Sequence, residues 1–266
     1  MLVDLHVHSN LTPGCRLDPA LALEKAEAVG LDGICFTDRD TWKGAKAIHA
    51  LRETTDLAVF AGAEIATDHG LYLVFFPDPE SVPEPAEMFG TPPNGAPWSA
   101  RHVVDTVRAR GGVAIAAHPY DRNVERPAGD YLFTLRGLTA VEGYAGTRRS
   151  NVNELAIEAA DHLSLPVVGG SAAFDGYDQV GTAATLFREP VRDEAELVAA
   201  LRAGHVWAVA IGKPPKFVGD ELALRDRERE RDERRDERGG RDDRRGGRRR
   251  GGGGGGRGRP GRGGRR

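Results

Sequence analysis

Sulfur and aromatic rings are scarce in this sequence. Its 266 residues include two cysteines, Cys15 and Cys35, and two methionines, and aromatics make up 6%. Two cysteines cannot build a disulfide framework, so a reducing compartment fits. Long apolar runs are also missing. No stretch approaches the roughly 18 residues that a membrane-spanning helix needs. The first residues lack a charged segment followed by an apolar one, the pattern of a secretory leader. The expectation is a cytoplasmic protein with no membrane contact. An excess of one charge is absent from the totals, 37 basic residues against 40 acidic, but the balance hides a division. Residues 225–266 hold 18 arginines and nine acids, whereas residues 1–224 hold 19 basic and 31 acidic residues. An acidic body carries a basic tail.

What is present is a regular alternation. Short apolar, β-branched runs read as strands at Leu2–His6, Gly33–Thr37, Ala58–Ile65, Leu71–Phe76, Val113–Ala117, Ala140–Tyr144, Pro166–Gly170, Thr182–Phe187 and Val206–Ile211. Amphipathic stretches between them read as helices. Asp18 followed by Pro19 is a helix start, and Gly30 marks its end. Further helices are predicted near Lys43–Glu53, Ala100–Arg110, Asn151–Leu163 and Asp193–Ala203. Alternation of this kind argues for βα units around a mainly parallel sheet, an α/β body spanning residues 1–218. Pro77–Pro97 reads as a long loop over one end of it. Residues 219–238 form a charged linker that Glu–Arg pairs can make helical. Residues 239–266, rich in Arg and Gly, cannot bury a core and are expected to be disordered.

The chemistry-bearing residues sit where the strands end. "LVDLHVHSN" puts His6 and His8 two apart, on one face of a strand, about one metal ion from each other. Standing alone, such a pair also fits one imidazole capping the strand and one facing solvent. "FAGAEIAT" brings Glu64 to another strand end, "GGVAIAAHPY" brings His118, and "GICFTDRDT" brings Asp38 and Asp40. In parallel β/α architectures the carboxyl ends of the strands converge on one site. Imidazoles with a shared carboxylate suit zinc, manganese or iron. The remaining histidines, His49, His69, His102, His162 and His205, read as ordinary surface or half-buried residues. Tyr72 and Phe76 read as core.

The ordered segments "DLHVHS", "GLDGICFTDRDTWKGA", "GAEIATDHGLYLVFF", "GGVAIAAHPYDR" and "LPVVGGSAAFD" resemble the motifs of the PHP (polymerase and histidinol phosphatase) family over about residues 1–210. The resemblance implies a distorted (β/α)7 TIM-like barrel with metal ions at the strand carboxyl ends. It also implies hydrolysis of phosphate esters: a nucleotide phosphatase, or 5′–3′ exonuclease-like action on a nucleic-acid end. His6, His8, Glu64 and His118 match ligand positions for one or two divalent transition-metal ions (Zn, Mn or Fe). Other positions depart from the pattern. The second motif has Asp38 followed by Arg39 where histidine is usual. The early loop has Pro13 where a ligand is usual. The last motif, usually GSDAH, reads GSAAF, so Ala172 and Phe174 replace an aspartate and a histidine. A polar residue common near Ala145 is also missing. On the family's mapping, one ion site is lost as a unit with Pro13, Arg39 and Phe174.

Arg39 has two readings. Its guanidinium carries a permanent charge and a fork of donors, so it can stand in for a cation and orient a phosphate, with Asp38 behind the ligands. Alternatively the catalytic role has lapsed, and Arg39 points to solvent or pairs with Asp38 or Asp40. Asp175 and Asp178 are candidate replacement ligands. The expected function is a metal-dependent phosphoesterase weakened or lost through missing ligands. The competing expectation is a non-catalytic domain that binds a phosphorylated small molecule or a partner.

The tail adds a third possibility. Arg–Gly segments track phosphate backbones through charge and counter-ion release. This one has no Phe or Tyr between its glycines, so only arginine planes can stack on bases. Deleting residues 225–266 is expected to weaken binding to single-stranded RNA or DNA in a salt-dependent assay. Unchanged affinity would show that the tail is not the binding element.

Overall fold

Strand β1 (Leu2–Val7) is buried from Val3 onward, and β4 (Gly70–Phe75) and β5 (Val113–Ala117) are buried throughout. A strand with no solvent-facing side needs a packed layer on each face. The computed structural model, which describes residues 1–91 and 95–211, provides both. Strands β2 (Gly33–Arg39), β3 (Ala58–Thr67), β6 (Ala140–Ala145) and β7 (Val167–Gly170) complete a seven-strand wall. An antiparallel pair, β8 (Ala183–Phe187) and β9 (Val206–Ala210), continues the sheet beyond β1. The order is β7-β6-β5-β4-β3-β2-β1-β8-β9.

The wall closes on itself. Val7 bridges Ala173, just past β7, in parallel, and the His8 N–H donates to the Ala173 carbonyl at 3.0 Å. Asp4 fastens the seam, accepting from the backbone N–H groups of Ser171 at 2.7 Å, Gly181 at 3.0 Å and His6 at 3.2 Å. The result is the distorted (β/α)7 barrel that the family resemblance implies, with one strand reversed. β3 and β4 join through the two-residue turn Asp68–His69 and pair antiparallel, and β4 also runs antiparallel to β5. Gly70 allows this turn: its φ is +97°, and a Cβ there would meet Ala128 Cβ at 2.7 Å.

Helices clothe the outside. Helix α1 (Pro19–Ala28) begins with Asp18 accepting from the N–H groups of Ala20 and Leu21, and Pro19 occupies the first turn. Helix α2 (Ala45–Ala50) tightens into a 3₁₀ turn at Leu51–Thr54 instead of running on to Glu53. Tertiary contacts oppose a longer helix: Arg52 reaches the Val59 carbonyl at 2.8 Å and the buried Glu194 carboxylate at 2.7 Å. His49, expected to be ordinary, joins the same network through Glu194 at 2.8 Å and Glu80 at 2.6 Å. The predicted loop 77–97 contains a short helix, α3 (Pro85–Met88). Helix α4 (Ala100–Ala109) buries Ala100, Val103, Val104 and Val107, one face at helical spacing. Helices α5 (Ser150–Leu163) and α6 (Glu194–Ala203) complete the set.

Phe60, Leu73, Phe75 and Ile115 belong to one buried apolar cluster with Leu5 and Cys35, while Tyr72 and Phe76 pack in a second cluster with α4. The predicted linker 219–238 and tail 239–266, and the boundary at 218, lie outside the described residues. Among the described residues, no helix is long and apolar enough to cross a membrane.

Both cysteines are inside this body, Cys15 6% and Cys35 0% exposed. Burial raises both thiol pKa values, Cys35 well above the ordinary thiol range. In the native protein at pH 8, neither is expected to react with a disulfide reagent on the timescale on which both react in denaturant. Rapid native labelling of Cys35 would contradict the packing.

Candidate metal centre

Parallel pairing of β2 with β3 sets Arg39 beside Glu64 in register. Side chains of such a pair lie on the same face, so the guanidinium and carboxylate meet without any loop to position them. Arg39 donates from Nε at 2.9 Å and from Nη2 at 2.6 Å, both to Glu64 Oε2. Arg39 therefore pairs with neither Asp38 nor Asp40.

Glu64 is fully buried and three imidazoles surround it. His6 Nε2 lies 3.2 Å and His118 Nε2 3.6 Å from Oε1, and His8 Nε2 lies 3.6 Å from Oε2. The ring centres of His6 and His8 are 5.3 Å apart, and those of His6 and His118 are 5.6 Å apart. The four predicted ligand residues, separated by more than a hundred positions in sequence, thus share one buried cluster.

A second layer fixes the imidazoles. Glu142, from the middle of β6, accepts from His6 Nδ1 at 2.8 Å and from the His118 backbone N–H at 2.9 Å. That hydrogen bond puts a proton on His6 Nδ1 and turns Nε2 toward Glu64. The His118 backbone needs such an anchor, because its φ of +27° is rare for a residue with a side chain. His8 is oriented from the early loop. Thr12 Oγ1 donates to Asp38 Oδ1 at 2.7 Å, so its lone pairs accept from the Arg39 backbone N–H and from His8 Nδ1, both at 3.1 Å. His8 Nε2 is then the lone-pair nitrogen. Asp38 takes two further bonds, from Ser9 N–H and Ser9 Oγ, and works as the clasp of this loop. Gly170 supplies room, since a Cβ there would meet His6 Cβ at 2.5 Å.

The electrostatics follow from the packing. Burial raises the Glu64 pKa, but the histidines around it prevail and hold it well below the ordinary carboxylate range. Burial lowers the His6 pKa, but Glu142 and then Glu64 carry it up to about 10. Burial brings His8 down to about 3, against the pull of Glu64, so it stays neutral. His6 Nε2, Glu64 Oε1 and both ring nitrogens of His118 are buried and have no hydrogen-bond partner. Buried polar atoms left so cost about 1–3 kcal/mol each. A nitrogen lone pair facing a carboxylate oxygen needs a proton or a cation between them. Groups of suitable ligand type and spacing are His6–His8–Glu64 and His6–His118–Glu142, the two such groups among the described residues. The donor set fits a divalent transition metal.

The missing ligands have visible replacements. Phe174 stands edge-on to His8 with ring centres 5.5 Å apart. Ala172 keeps a left-handed backbone, φ +52°, which suits Asp or Asn better than Ala. Asp175 is exposed, and neither it nor Asp178 joins the cluster. Beside His118 opens a cleft of about 310 Å³ whose lining includes Arg39, Asp121, Asn123, Arg126 and Arg148. Arg148 Nε lies 2.7 Å from Asp121 Oδ2, at ion-pair distance.

A family model described as PHP-associated matches residues 151–206. In the solved structure of PsfC from Pseudomonas syringae the same architecture covers 85% of this chain and 97% of that one, with a TM-score of 0.58 and 21% identity. A two-domain protein from Bacteroides vulgatus, containing a predicted PHP-like metal-dependent phosphoesterase, gives a TM-score of 0.62 at 15% identity, over 79% of this chain and 65% of that one. This chain has the PHP-like fold, with a PHP-associated segment at residues 151–206. The lesion-specific endonuclease PfuEndoQ from Pyrococcus furiosus shares the fold at a TM-score of 0.56 and 15% identity, over 78% of this chain and 57% of that one. The uncharacterized protein MJ1587 of Methanocaldococcus jannaschii is 27% identical over 168 residues, 59% of this chain and 90% of that relative. At these identities the solved structures speak for the PHP fold alone.

Sequence reasoning missed Glu142 and Thr12. Glu142 had a signal: an acid inside the apolar run "TAVEGYA" must be paired if the strand is buried on both faces. Glu142→Gln keeps the shape but turns an N–H₂ toward a donor. It is expected to cost about 1–3 kcal/mol in denaturant unfolding and to weaken zinc or manganese binding roughly 10–100-fold. Unchanged metal affinity would remove Glu142 from the centre.

Proposed function

We propose that this PHP-like chain is a metal-dependent phosphoesterase acting on a phosphorylated small molecule or a nucleic-acid end. One observation carries the reading: partnerless buried donors on His6, Glu64 and His118 sit under a cleft lined by three arginines. Metal ligands without a basic cleft would fit many chemistries, and a basic cleft without ligands would fit simple anion binding. Together they fit a phosphate ester brought to a metal centre.

His6, His8, Glu64 and His118 would hold the metal, with Glu142 and Thr12 fixing His6 and His8 so that Nε2 is the free nitrogen. A divalent ion there would supply Lewis acidity toward phosphorus and a lowered pKa for water. The chain's own groups do the rest. Arg39, 40% exposed at its side chain, lines the cleft and meets phosphate charge. Arg148 and Arg126 bring guanidinium groups to the rim, each paired with an acid of the same lining, Asp121 at 2.7 Å and Glu125 at 2.9 Å. Asp38 holds the early loop in place through Ser9 and Thr12.

Phe174 against His8 favours the second reading, a phosphate-binding domain without turnover, because an apolar ring stands where a further donor would serve catalysis. Added manganese or zinc is expected to raise the melting temperature, by the equivalent of about 2.7 kcal/mol at a hundredfold excess over Kd. Manganese is also expected to support hydrolysis of a chromogenic phosphate ester or a 5′-phosphorylated oligonucleotide, abolished by His6→Ala or Glu64→Ala. Metal binding without turnover would select the second reading. No thermal shift with either ion would overturn the metal centre itself.

A further inference from the structure

We propose that Arg39 is a built-in cation that holds this centre to one metal ion. The inference rests on the metal-centre reading above and deepens it.

The two oxygens of Glu64 are in different states. Oε2 accepts two N–H groups from Arg39, at 2.9 and 2.6 Å, which occupies both of its lone pairs. Oε1 has no hydrogen-bond partner. A carboxylate bridging two ions must give one oxygen to each. Here one oxygen is already committed to a guanidinium, whose charge is permanent at any pH the fold survives. The donors left over are His6 Nε2 and His118 Nε2 on the Oε1 side, together with Oε1 itself, and His8 Nε2, 3.6 Å from Oε2 and at ligand spacing with His6 and Glu64. Three protein groups suffice for one catalytic ion with an open position.

Local charge points the same way. Among the groups touching the three imidazoles and one another, Glu64 and Glu142 bring two carboxylates and Arg39 one guanidinium. With the three imidazoles as neutral ligands, the cluster carries one negative charge. One dication brings it to +1, which attracts a phosphate. A second would bring it to +3 among buried groups, where like charges repel strongly. On the Oε2 side, Phe174 covers His8 with a ring that offers no ligand atom.

Cobalt(II) titration of the full chain, followed by visible absorbance with native mass spectrometry as the count, tests this directly. The wild type is expected to break at one equivalent. Arg39→Lys, which keeps the charge, is expected to stay at one. Arg39→His, which removes the charge, frees Oε2 and adds an imidazole beside it, is expected to break at two. A wild type that binds two ions, or an Arg39→His variant with native circular dichroism that stays at one, would overturn the proposal and leave the metal centre standing. A wild type that binds none would overturn both. If Arg39→His does not fold, the counts for the wild type and Arg39→Lys decide: one in both supports the proposal, and two in either overturns it.

Discussion

Every part of this molecule's chemistry is arranged around one buried carboxylate. Glu64 has no solvent exposure, so each of its lone pairs must meet a donor or a cation. Arg39 answers for one oxygen. The other oxygen faces His6 and His118, and there the protein supplies direction without supplying a bond. That imbalance is costly for a core that has no use for it. It becomes intelligible when the gap is a place for something that arrives from outside.

The barrel exists to keep that gap in shape. β2–β3 register places Arg39 and Glu64 side by side, Asp4 ties β1 to the segment after β7, and Gly170 lets His6 pack against that seam. Glu142 reaches across to hold both His6 and the strained backbone of His118. These contacts join residues of β1, β6 and the β5 exit. A loosening of the wall at any of those strands would therefore reach His6 or His118 within one hydrogen bond. Strand ends on a rigid wall are better suited to this than loops, because ligand geometry tolerates only small errors.

Much of this was legible in the sequence. All nine strands appear where apolar β-branched runs ended at Gly, Pro or charged residues, and strand ends carrying His or Glu do converge. The reversed β4 was not legible, since a two-residue link at Asp68–His69 declares a hairpin only once β3 is known to run on to Thr67. The shortened α2 was hidden as well, because Arg52 is drawn away by Glu194, 142 positions later. At the site, ligand types could be read from residue chemistry, whereas partners could not. Asp38 looked as much like a ligand as Glu64 does, yet Ser9 and Thr12 consume its oxygens. Arg39 has two acids beside it in sequence, Asp38 and Asp40, yet strand register pairs it with Glu64, 25 positions on. Glu142 escaped notice because an acid in a strand is unremarkable until both faces prove to be buried.

The central claim is that the gap beside Glu64 Oε1 is a metal position. Anomalous diffraction from crystals grown with zinc or manganese, collected at the metal edge, tests it most directly. The account predicts an anomalous peak roughly 2.0–2.2 Å from Glu64 Oε1 and His6 Nε2, with Arg39 still on Oε2. Crystals saturated with metal that show no anomalous density among His6, His8, Glu64 and His118 would contradict it.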